Sequence, residues 1–279
     1  MDTVLVTGGT GHLGRDIVTQ LQQRNYRVRV LARTPGQDPA IEWSRGDLAT
    51  GEGIAEAVAG ADTIVHAATL SPAAQRGGFR LGDFFGSPPD VDVQGTRRLL
   101  AEAKRAGASH FLYVSIVGVQ ASRIPYSRVK AAAEDLVRQA ELPWSIVPAT
   151  GFYWLLGRFL DKLAGRRIWP LPANLPIQPV DSADFAAYVA ECVAAGPGGE
   201  REGFGGGERE GFGGPEILTP VQLARQYQHA RGIRRRILRL WLPAAAIRAA
   251  GPQTCPDCRH GQTTWAQWLG RGPADPPMS

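Results

Sequence analysis

Two hydrophobic patterns alternate along the first 150 residues. Short, continuous apolar runs predict buried strands at residues 4–7, 27–31, 41–44, 63–67, 111–114 and 145–147. Apolar residues at helical spacing predict helices over residues 12–24, 92–106 and 126–140. Strands that are apolar on both faces and separated by helices imply a parallel sheet covered on both sides. We therefore expect residues 1–150 to form a doubly wound α/β domain.

The pattern changes after residue 150. Residues 169–177 contain extended pieces interrupted by proline, and residues 182–195 form a helix that we expect to pack back on the sheet. Shorter strands and helices are predicted at residues 216–218, 220–230, 233–240 and 244–250. We expect residues 151–279 to form a smaller substrate-binding region that covers the carboxyl edge of the sheet.

An eight-residue segment is duplicated in this second region. Residues 199–206 are reproduced residue for residue at residues 207–214. Solenoid repeats run ~20 residues or more, so two copies of eight residues do not build one. Because the stretch is rich in glycine and charge, we expect a flexible surface loop without a function of its own.

Composition bounds the class of protein. The 279 residues, 43% of them hydrophobic, suffice for one large domain or one domain with an appendage. No apolar stretch approaches the ~20 residues of a membrane span, and the first residues lack the basic segment of a secretory leader. Three cysteines are too few for a disulfide scaffold. We expect a soluble, cytoplasmic protein without a membrane partner.

The chain is basic, with a net charge of 31 − 26 = +5, and only three of its 31 cations are lysine. In its densest run, residues 231–240, arginine is interleaved with apolar residues and no aromatic side chain is present on which a base could stack. The pattern favours a half-buried strand with a solvated face. A patch for an anionic ligand or a partner is the second interpretation. Nucleic acid is the least favoured, so no nucleic-acid partner is expected.

Cys255 and Cys258, followed by His260, have zinc-like spacing. Structural zinc needs four ligands, and no second pair lies nearby in the sequence. A coincidental loop and a redox pair remain as interpretations, and no metal site is expected.

The strongest chemical signal lies where the first strand meets the first helix. Residues 7–14 read Thr-Gly-Gly-Thr-Gly-His-Leu-Gly. Gly8 and Gly11 allow a tight turn that a pyrophosphate can approach, and Gly14 permits close packing of the helix on the strand. The helix N-terminus adds N–H groups and a positive dipole. In this strand–turn–helix context the motif predicts dinucleotide binding.

The end of the second strand indicates which dinucleotide is bound. NAD sites carry an acid there, ~20 residues after the glycine motif, to bind the ribose 2′-hydroxyl. This chain has Arg33 instead. A guanidinium suits a 2′-phosphate because its planar fork donates paired hydrogen bonds to phosphate oxygens. We expect NADPH, with NAD as the less favoured alternative.

A second constellation is the pair Tyr126 and Lys130. Positions four apart on a helix share a face, so the phenol and the ammonium can enter one cleft. A nearby cation favours phenolate and lowers the pKa of a tyrosine, which makes it a better proton donor and acceptor near neutrality. We expect a catalytic or cofactor-binding pair, the alternative being an ordinary pair on a helix surface.

These motifs together resemble the short-chain dehydrogenase/reductases, and in detail their atypical, NmrA-like branch. Further segments carry the resemblance: Gly-Asp-Leu at 46–48, Val-His-Ala-Ala at 65–68, Val-Asp-Val-Gln-Gly-Thr at 91–96, His-Phe-Leu-Tyr-Val-Ser-Ile-Val-Gly at 110–118 and Pro-Val-Asp-Ser-Ala-Asp at 179–184. The resemblance covers nearly the whole chain and is densest over residues 3–150.

The resemblance implies a Rossmann fold with NAD(P) along the carboxyl edge of the sheet. It implies that Tyr126 gives the proton while nicotinamide gives the hydride, and that Lys130 supports Tyr126 and holds the cofactor. Ser115 is the expected clamp on the substrate carbonyl, with Val117 as the alternative occupant of that place. The expected cofactor contacts are Gly8, Thr10, Gly11, His12, Leu13, Gly14, Arg33, Asp47, Leu48, Ala67, Ala68 and Lys130.

Aromatic residues are expected on the substrate side. Residues 77–86, which include Phe84, suggest a mobile flap over the site, and Phe152, Tyr153 and Trp154 are expected to face the cleft from the other side. This aromatic surface favours a flat, apolar or aromatic substrate. Our first hypothesis is an NADPH-dependent reductase of a small ketone or quinone-like molecule. The second is an NADP(H)-binding redox sensor that acts through a protein partner. Epimerase, dehydratase or isomerase chemistry on the same scaffold is the third.

Overall fold

The structure, a computed structural model, describes residues 1–69, 90–198, 206–208 and 211–272. Nine strands are assigned within these residues: β1 Thr3–Thr7, β2 Arg27–Ala32, β3 Glu42–Arg45, β4 Thr63–His66, β5 His110–Ile116, β6 Trp144–Ala149, β7 Ile168–Pro172, β8 Gly206–Glu208 and β9 Arg236–Leu240. The α-helices of the same residues are α1 His12–Gln23, α2 Ile54–Val58, α3 Thr96–Ala106, α4 Pro125–Arg138, α5 Tyr153–Ala164, α6 Ser182–Ala195, α7 Pro220–Ala230, α8 Ala244–Ala250 and α9 Trp265–Gly270. A π-helical turn, Asp90–Gly95, precedes α3.

Seven strands form one parallel sheet in the order β3-β2-β1-β4-β5-β6-β8. The chain runs outward from β1 to β3 and then returns to add β4 on the other side of β1. The crevice at the carboxyl ends of β1 and β4 is therefore the switch point where open α/β sheets bind ligands. In register, Thr7 of β1 lies beside Leu31 of β2 and His66 of β4 at this edge. The sheet confirms the predicted doubly wound α/β fold.

Side chains alternate across each strand, and both faces of the sheet are buried. Val4 and Val6 of β1 face a core shared with α1 and α6, whereas Leu5 faces a second core shared with α2, α3 and α4. Helix α6 packs against α1 on the first of these faces. The two cores explain why the strand sequences are continuously apolar rather than alternating.

The C-terminal residues build a third core around α5, α7 and α9. Strands β7 and β9 form a separate parallel pair beside it. Trp169 of β7, Trp265 of α9 and Tyr153 of α5 are fully buried there. Capping boxes begin α7 at Thr219 and α9 at Thr264, since each threonine and the glutamine three residues later satisfy each other's backbone N–H groups.

The second copy of the duplicated segment is part of the fold, so our expectation of a surface loop was wrong for it. Residues 206–208 pair with β6 as strand β8. Phe212 follows, is 5% exposed, and packs on the rings of Phe185 and Tyr188. Its backbone bonds Pro148 and Thr150. Residues 199–205, most of the first copy, lie outside the described residues.

Within the described residues, no helix combines the length and the apolar character that crossing a membrane requires.

Candidate functional site

The glycine motif forms the turn between β1 and α1. Gly8 has φ +77°, and a Cβ there would lie 2.8 Å from the backbone of Ala68 at the end of β4. A Cβ on Gly14 would lie 1.9 Å from the carbonyl oxygen of Gly8. The Gly11 N–H closes the turn by donating to that same oxygen at 3.0 Å. Only glycine therefore allows the turn to lie this close to both the helix and β4.

The turn leaves the start of α1 open to an anion. Gly11 is the N-cap and supplies no side-chain hydrogen bond, and no acidic residue lies in the first helical turn. Thr10 and Gly11 are exposed, and Leu13 is half-buried behind them. No described residue accepts a hydrogen bond from the first N–H groups of the helix, so these groups and the helix dipole suit a pyrophosphate.

An aromatic pair covers one side of this turn. The rings of His12 and Trp154 stack with centroids 4.5 Å apart and 20° between their planes. Burial, helped by Arg15 and Arg158, lowers the pKa of His12, so its imidazole is neutral at pH 7. The Nε2 atom of His12 and the Nε1 atom of Trp154 are buried and have no hydrogen-bond partner among the described residues. Together with the open turn, these two orphaned atoms fit a bound dinucleotide.

The expected cofactor contacts outside the glycine turn are split in location. Arg33 follows β2, is exposed, and makes no ion pair with the described residues. The Asp47 carboxylate accepts the N–H of Ala49 at 2.9 Å, so it shapes the loop after β3. Leu48 is 8% exposed and packs in the core under α3. Ala67 and Ala68 end β4 opposite Gly8, where they form the floor of the crevice.

The side chain of His66 connects the elements around this floor through two hydrogen bonds. One ring nitrogen lies 2.7 Å from the Thr7 hydroxyl and the other 2.9 Å from that of Thr96. Burial, and to a smaller extent the charge of Lys130, lowers its pKa to about 3. His66 is therefore neutral at physiological pH and joins β1, β4 and α3 rather than serving as a base.

Tyr126 lies at the same edge of the sheet, in a short chain of polar groups. Its hydroxyl is 3.0 Å from the hydroxyl of Thr69, which donates to Asp92 at 2.6 Å. Thr69 is exposed and Tyr126 half-buried, whereas Asp92 is 1% exposed. Desolvation, followed by the charge of Asp92, raises the pKa of Tyr126 above its ordinary value. This corrects our expectation of a lowered pKa: the phenol keeps its proton at neutral pH.

Lys130 lies close by but is held elsewhere. Its ammonium donates to the Val114 carbonyl at 3.0 Å and lies 4.2 Å from the centre of the Tyr113 ring. Burial lowers the pKa of Lys130, while Asp92 and Glu134 oppose that shift. No hydrogen bond joins Lys130 to Tyr126 in the structure as described.

Ser115 is turned away from this group, in contrast to its expected role. Its hydroxyl donates to Glu134 at 2.5 Å, and Glu134 also accepts from Gln120 and Arg138. Val117, the alternative, packs against Gly211 and carries no polar atom. Thr69 is the hydroxyl that actually lies beside Tyr126, and it was missed. Its position directly after the apolar strand and Ala67-Ala68 was the available signal.

The three expected substrate residues that the structure describes do not share one surface. Tyr153 is fully buried and donates to the Thr263 carbonyl at 3.0 Å, so it is a core residue rather than a cleft residue. Phe152 packs on Phe185 at the edge of the core between the sheet and α6. Trp154 covers His12 beside the glycine turn. Phe84, with the expected flap, lies outside the described residues.

The two C-terminal cysteines form a disulfide, Cys255–Cys258. Both sulfur atoms would lie 3.4 Å from a Cβ on Gly211, next to Val117 after β5. The fully buried Gln178 holds this loop, since it accepts the Cys255 N–H at 2.7 Å. Among the residues that the structure describes, no group of three or more His, Cys, Asp or Glu could hold a metal.

Comparison with known proteins agrees with the geometry. The sequence profile of the NAD(P)H-binding family matches residues 8–194. The chain is 27% identical to the photosystem II assembly factor of Cyanophora paradoxa over an alignment of 194 positions, which covers 67% of this chain and 57% of that protein. It is 32% identical to the ceramide reductase of Caulobacter vibrioides over 182 residues, 63% of this chain and 53% of that protein. The match thus spans little more than half of each relative.

Among solved structures, the fold is similar to a nucleoside-diphosphate-sugar epimerase from Staphylococcus aureus. The TM-score is 0.72 at 18% sequence identity, and 96% of this chain and 99% of that chain are covered. At this identity the likeness concerns the fold alone. Profile and glycine turn agree: the chain belongs to the NAD(P)H-binding family.

Proposed function

We propose that this protein is an NADPH-dependent reductase that acts on the carbonyl of a small, apolar or aromatic substrate such as a ketone or quinone. The observation that carries the proposal is the chain Tyr126–Thr69–Asp92, which sets a neutral phenol beside an exposed hydroxyl near the glycine turn. A ceramide reductase among the relatives supports reduction of an apolar substrate.

We propose NADPH rather than NADH as the cofactor because of the charged groups at the end of β2. An acid that would accept the ribose 2′-hydroxyl is missing at the end of β2, and Arg33 is exposed there. No described acidic residue neutralises Arg33, so its guanidinium is free to pair with a 2′-phosphate. The open first turn of α1 and the Trp154 N–H would hold the pyrophosphate region.

The proton would come from Tyr126. The bound nicotinamide supplies the hydride, and the chain must then protonate the developing alkoxide. Tyr126 is protonated at neutral pH, as a tyrosine ordinarily is, and burial followed by the charge of Asp92 raises its pKa further. Thr69 gives its one hydroxyl proton to Asp92, so its oxygen is fixed 3.0 Å from the Tyr126 hydroxyl and would position that phenol toward the carbonyl oxygen. Lys130 supplies a buried positive charge nearby that favours an oxyanion.

Turnover with a matched pair of variants tests this proposal. NADPH oxidation is followed by absorbance with a panel of aromatic ketones, quinones and long-chain ketones. Tyr126→Phe should lower kcat by about 10²–10⁴-fold, the usual loss of a general acid, and leave NADPH affinity unchanged. Tyr26→Phe, which removes a phenol far from the crevice, serves as the control. Equal turnover by both variants would remove Tyr126 from the reaction.

A non-catalytic sensor of NADP(H) is the second candidate. It is favoured by the engagement of Ser115 with Glu134, which takes the expected carbonyl clamp out of the site. The assembly factor among the relatives is also named for a role other than reduction. Tight NADPH binding without oxidation across the panel, together with an unchanged NADPH affinity in Tyr126→Phe, would favour this candidate.

A further inference from the structure

Large exposed apolar side chains are concentrated on one small sheet. Five such side chains occur in the described part of the chain, and four of them lie on or next to the β7–β9 pair. Their exposed fractions are 49% for Ile168, 49% for Leu238, 39% for Leu240 and 71% for Trp241. A cluster of this kind, rather than scattered apolar residues, marks an interaction surface.

The strand register explains why these side chains share a face. Ile168 lies beside Arg236, Pro170 beside Leu238, and Pro172 beside Leu240. Because side chains alternate along a strand, Trp169 and Leu171 point the other way and are buried in the third core. We define the outer face as Ile168, Pro170, Arg236, Leu238 and Leu240 together with the adjoining Trp241.

The same segment holds the positive charge of the molecule. Residues 217–256 contain seven arginines and no lysine, aspartate or glutamate. The rest of the chain therefore has 31 − 7 = 24 cations against 26 acids, a net charge of −2. Arg234, Arg236 and Arg239 are all exposed, and none of them forms an ion pair with a described residue. Positive charge and exposed apolar area thus coincide.

We propose that the outer face docks this protein on an anionic lipid surface. Arginines beside it would pair with lipid phosphates, while the row of aliphatic side chains enters the boundary between headgroups and acyl chains. Trp241 suits the same depth because an indole has an apolar body and one N–H donor. Such docking needs no spanning helix, and it would be a membrane contact that the sequence did not predict.

A nucleic acid fits the same charge less well. Single strands are held by stacking on aromatic rings, and Trp241 is the one aromatic side chain that the described outer face offers. The aliphatic side chains of Ile168, Leu238 and Leu240 can neither stack on bases nor donate hydrogen bonds to phosphates. A second copy of this chain is disfavoured as the partner as well, because pairing two identical faces would bring their arginines together and the like charges would repel.

Sedimentation with vesicles tests the proposal on the full chain. Vesicles of phosphatidylcholine alone are compared with vesicles that also contain phosphatidylglycerol, at low and high salt. The chain should sediment with the anionic vesicles and be released in part by salt. Two double variants are compared with the unaltered chain: an apolar variant, Leu238→Ser with Trp241→Ser, and an arginine variant, Arg234→Gln with Arg236→Gln. Each should weaken the binding about tenfold or more. Arg27→Gln with Arg105→Gln, whose side chains are 62% and 71% exposed on β2 and α3, is the matched control and should bind normally.

Other results would overturn the proposal. They include no binding to anionic vesicles, equal binding to neutral ones, and anionic binding that neither variant weakens. Self-association that only the apolar variant abolishes, without vesicle binding, would assign the face to a second copy. Capture of polyuridylate that only the arginine variant loses, again without vesicle binding, would assign it to nucleic acid. NADPH affinity equal to that of the unaltered chain shows that each variant is folded and separates this test from that of the reductase.

Discussion

The glycine turn offers the sharpest test of the cofactor site through Gly14→Ala. The added Cβ would lie 1.9 Å from the Gly8 carbonyl oxygen, whereas real Cβ contacts stay beyond about 3.0 Å. Helix α1 must therefore move by at least 3.0 − 1.9 = 1.1 Å relative to the turn, or the turn must open. Overpacking of this kind costs about 1–3 kcal/mol. At about 2.1 cal/mol/K per residue, the unfolding entropy of 279 residues is roughly 0.6 kcal/mol/K, so Tm should fall by roughly 2–5 °C.

The same displacement misplaces the N–H groups that would face the pyrophosphate. Hydrogen bonds to a charged group contribute about 1.5–3 kcal/mol each, so NADPH affinity should fall at least tenfold in a fluorescence titration. Gly165→Ala is the matched control, since Gly165 lies after the last residue of α5, has a right-handed helical backbone, and would bring its Cβ within 4 Å of no other atom. Gly14→Ala protein that binds NADPH as tightly as the unaltered chain would refute our account of this turn.

Three further outcomes are expected. Arg33→Ala should weaken NADPH binding about tenfold or more and leave NADH binding unchanged; equal losses for both dinucleotides would argue against a 2′-phosphate contact. The pKa of His66 is about 3 in the folded chain and 6.5 ordinarily, so between these pH values only the unfolded chain binds the proton. The free energy of unfolding therefore decreases as the pH is lowered. From pH 7 to pH 5 this amounts to about 2 kcal/mol in denaturant titrations, and His66→Gln should flatten that part of the profile. Glu134→Gln should destabilise the chain by about 1–3 kcal/mol because Glu134 is a buried acceptor of three groups. Asp135→Asn, which removes an exposed partner of Arg138, should change stability by less than about 0.5 kcal/mol.

The sequence was most informative where local patterns determine structure. Helices α7 and α8 begin and end at the predicted residues, and α1 differs by one residue at its end. Strands β1 to β6 of the large sheet were predicted from apolar runs, because burial on both faces removes polar residues from most of them. Strand β8, which reads Gly-Gly-Glu, was not predicted. The glycine turn could be predicted equally well, since the positive φ at Gly8 and the close contact at Gly14 exclude residues other than glycine.

Long-range contacts account for what was missed. Phe212 looked like part of a glycine-rich loop, yet it fills a gap between Phe185 and Tyr188. Tyr153 looked like a cleft residue, but α5 turns it into the third core. Neither outcome can be read from spacing, because each depends on how distant helices pack.

The electrostatics of the site depend on the same kind of information. Four-residue spacing places Tyr126 and Lys130 on one helix face, but it does not show that Lys130 bonds to the Val114 carbonyl. Nor does it show that Thr69 and Asp92 are the groups beside the phenol. Desolvation, which depends on the folded surroundings, is the largest cause of the raised pKa of Tyr126 and opposes the shift we expected.

The central claim is that the hydroxyls of Tyr126 and Thr69 act on the substrate as one unit. A double-mutant cycle of Tyr126→Phe and Thr69→Val, read in kcat/KM for NADPH-dependent ketone reduction, measures this most directly. If Thr69 acts through the Tyr126 hydroxyl that it holds in place, the double variant should lose scarcely more activity than Tyr126→Phe alone. Losses that multiply would show that the two side chains act independently and would contradict the proposed site.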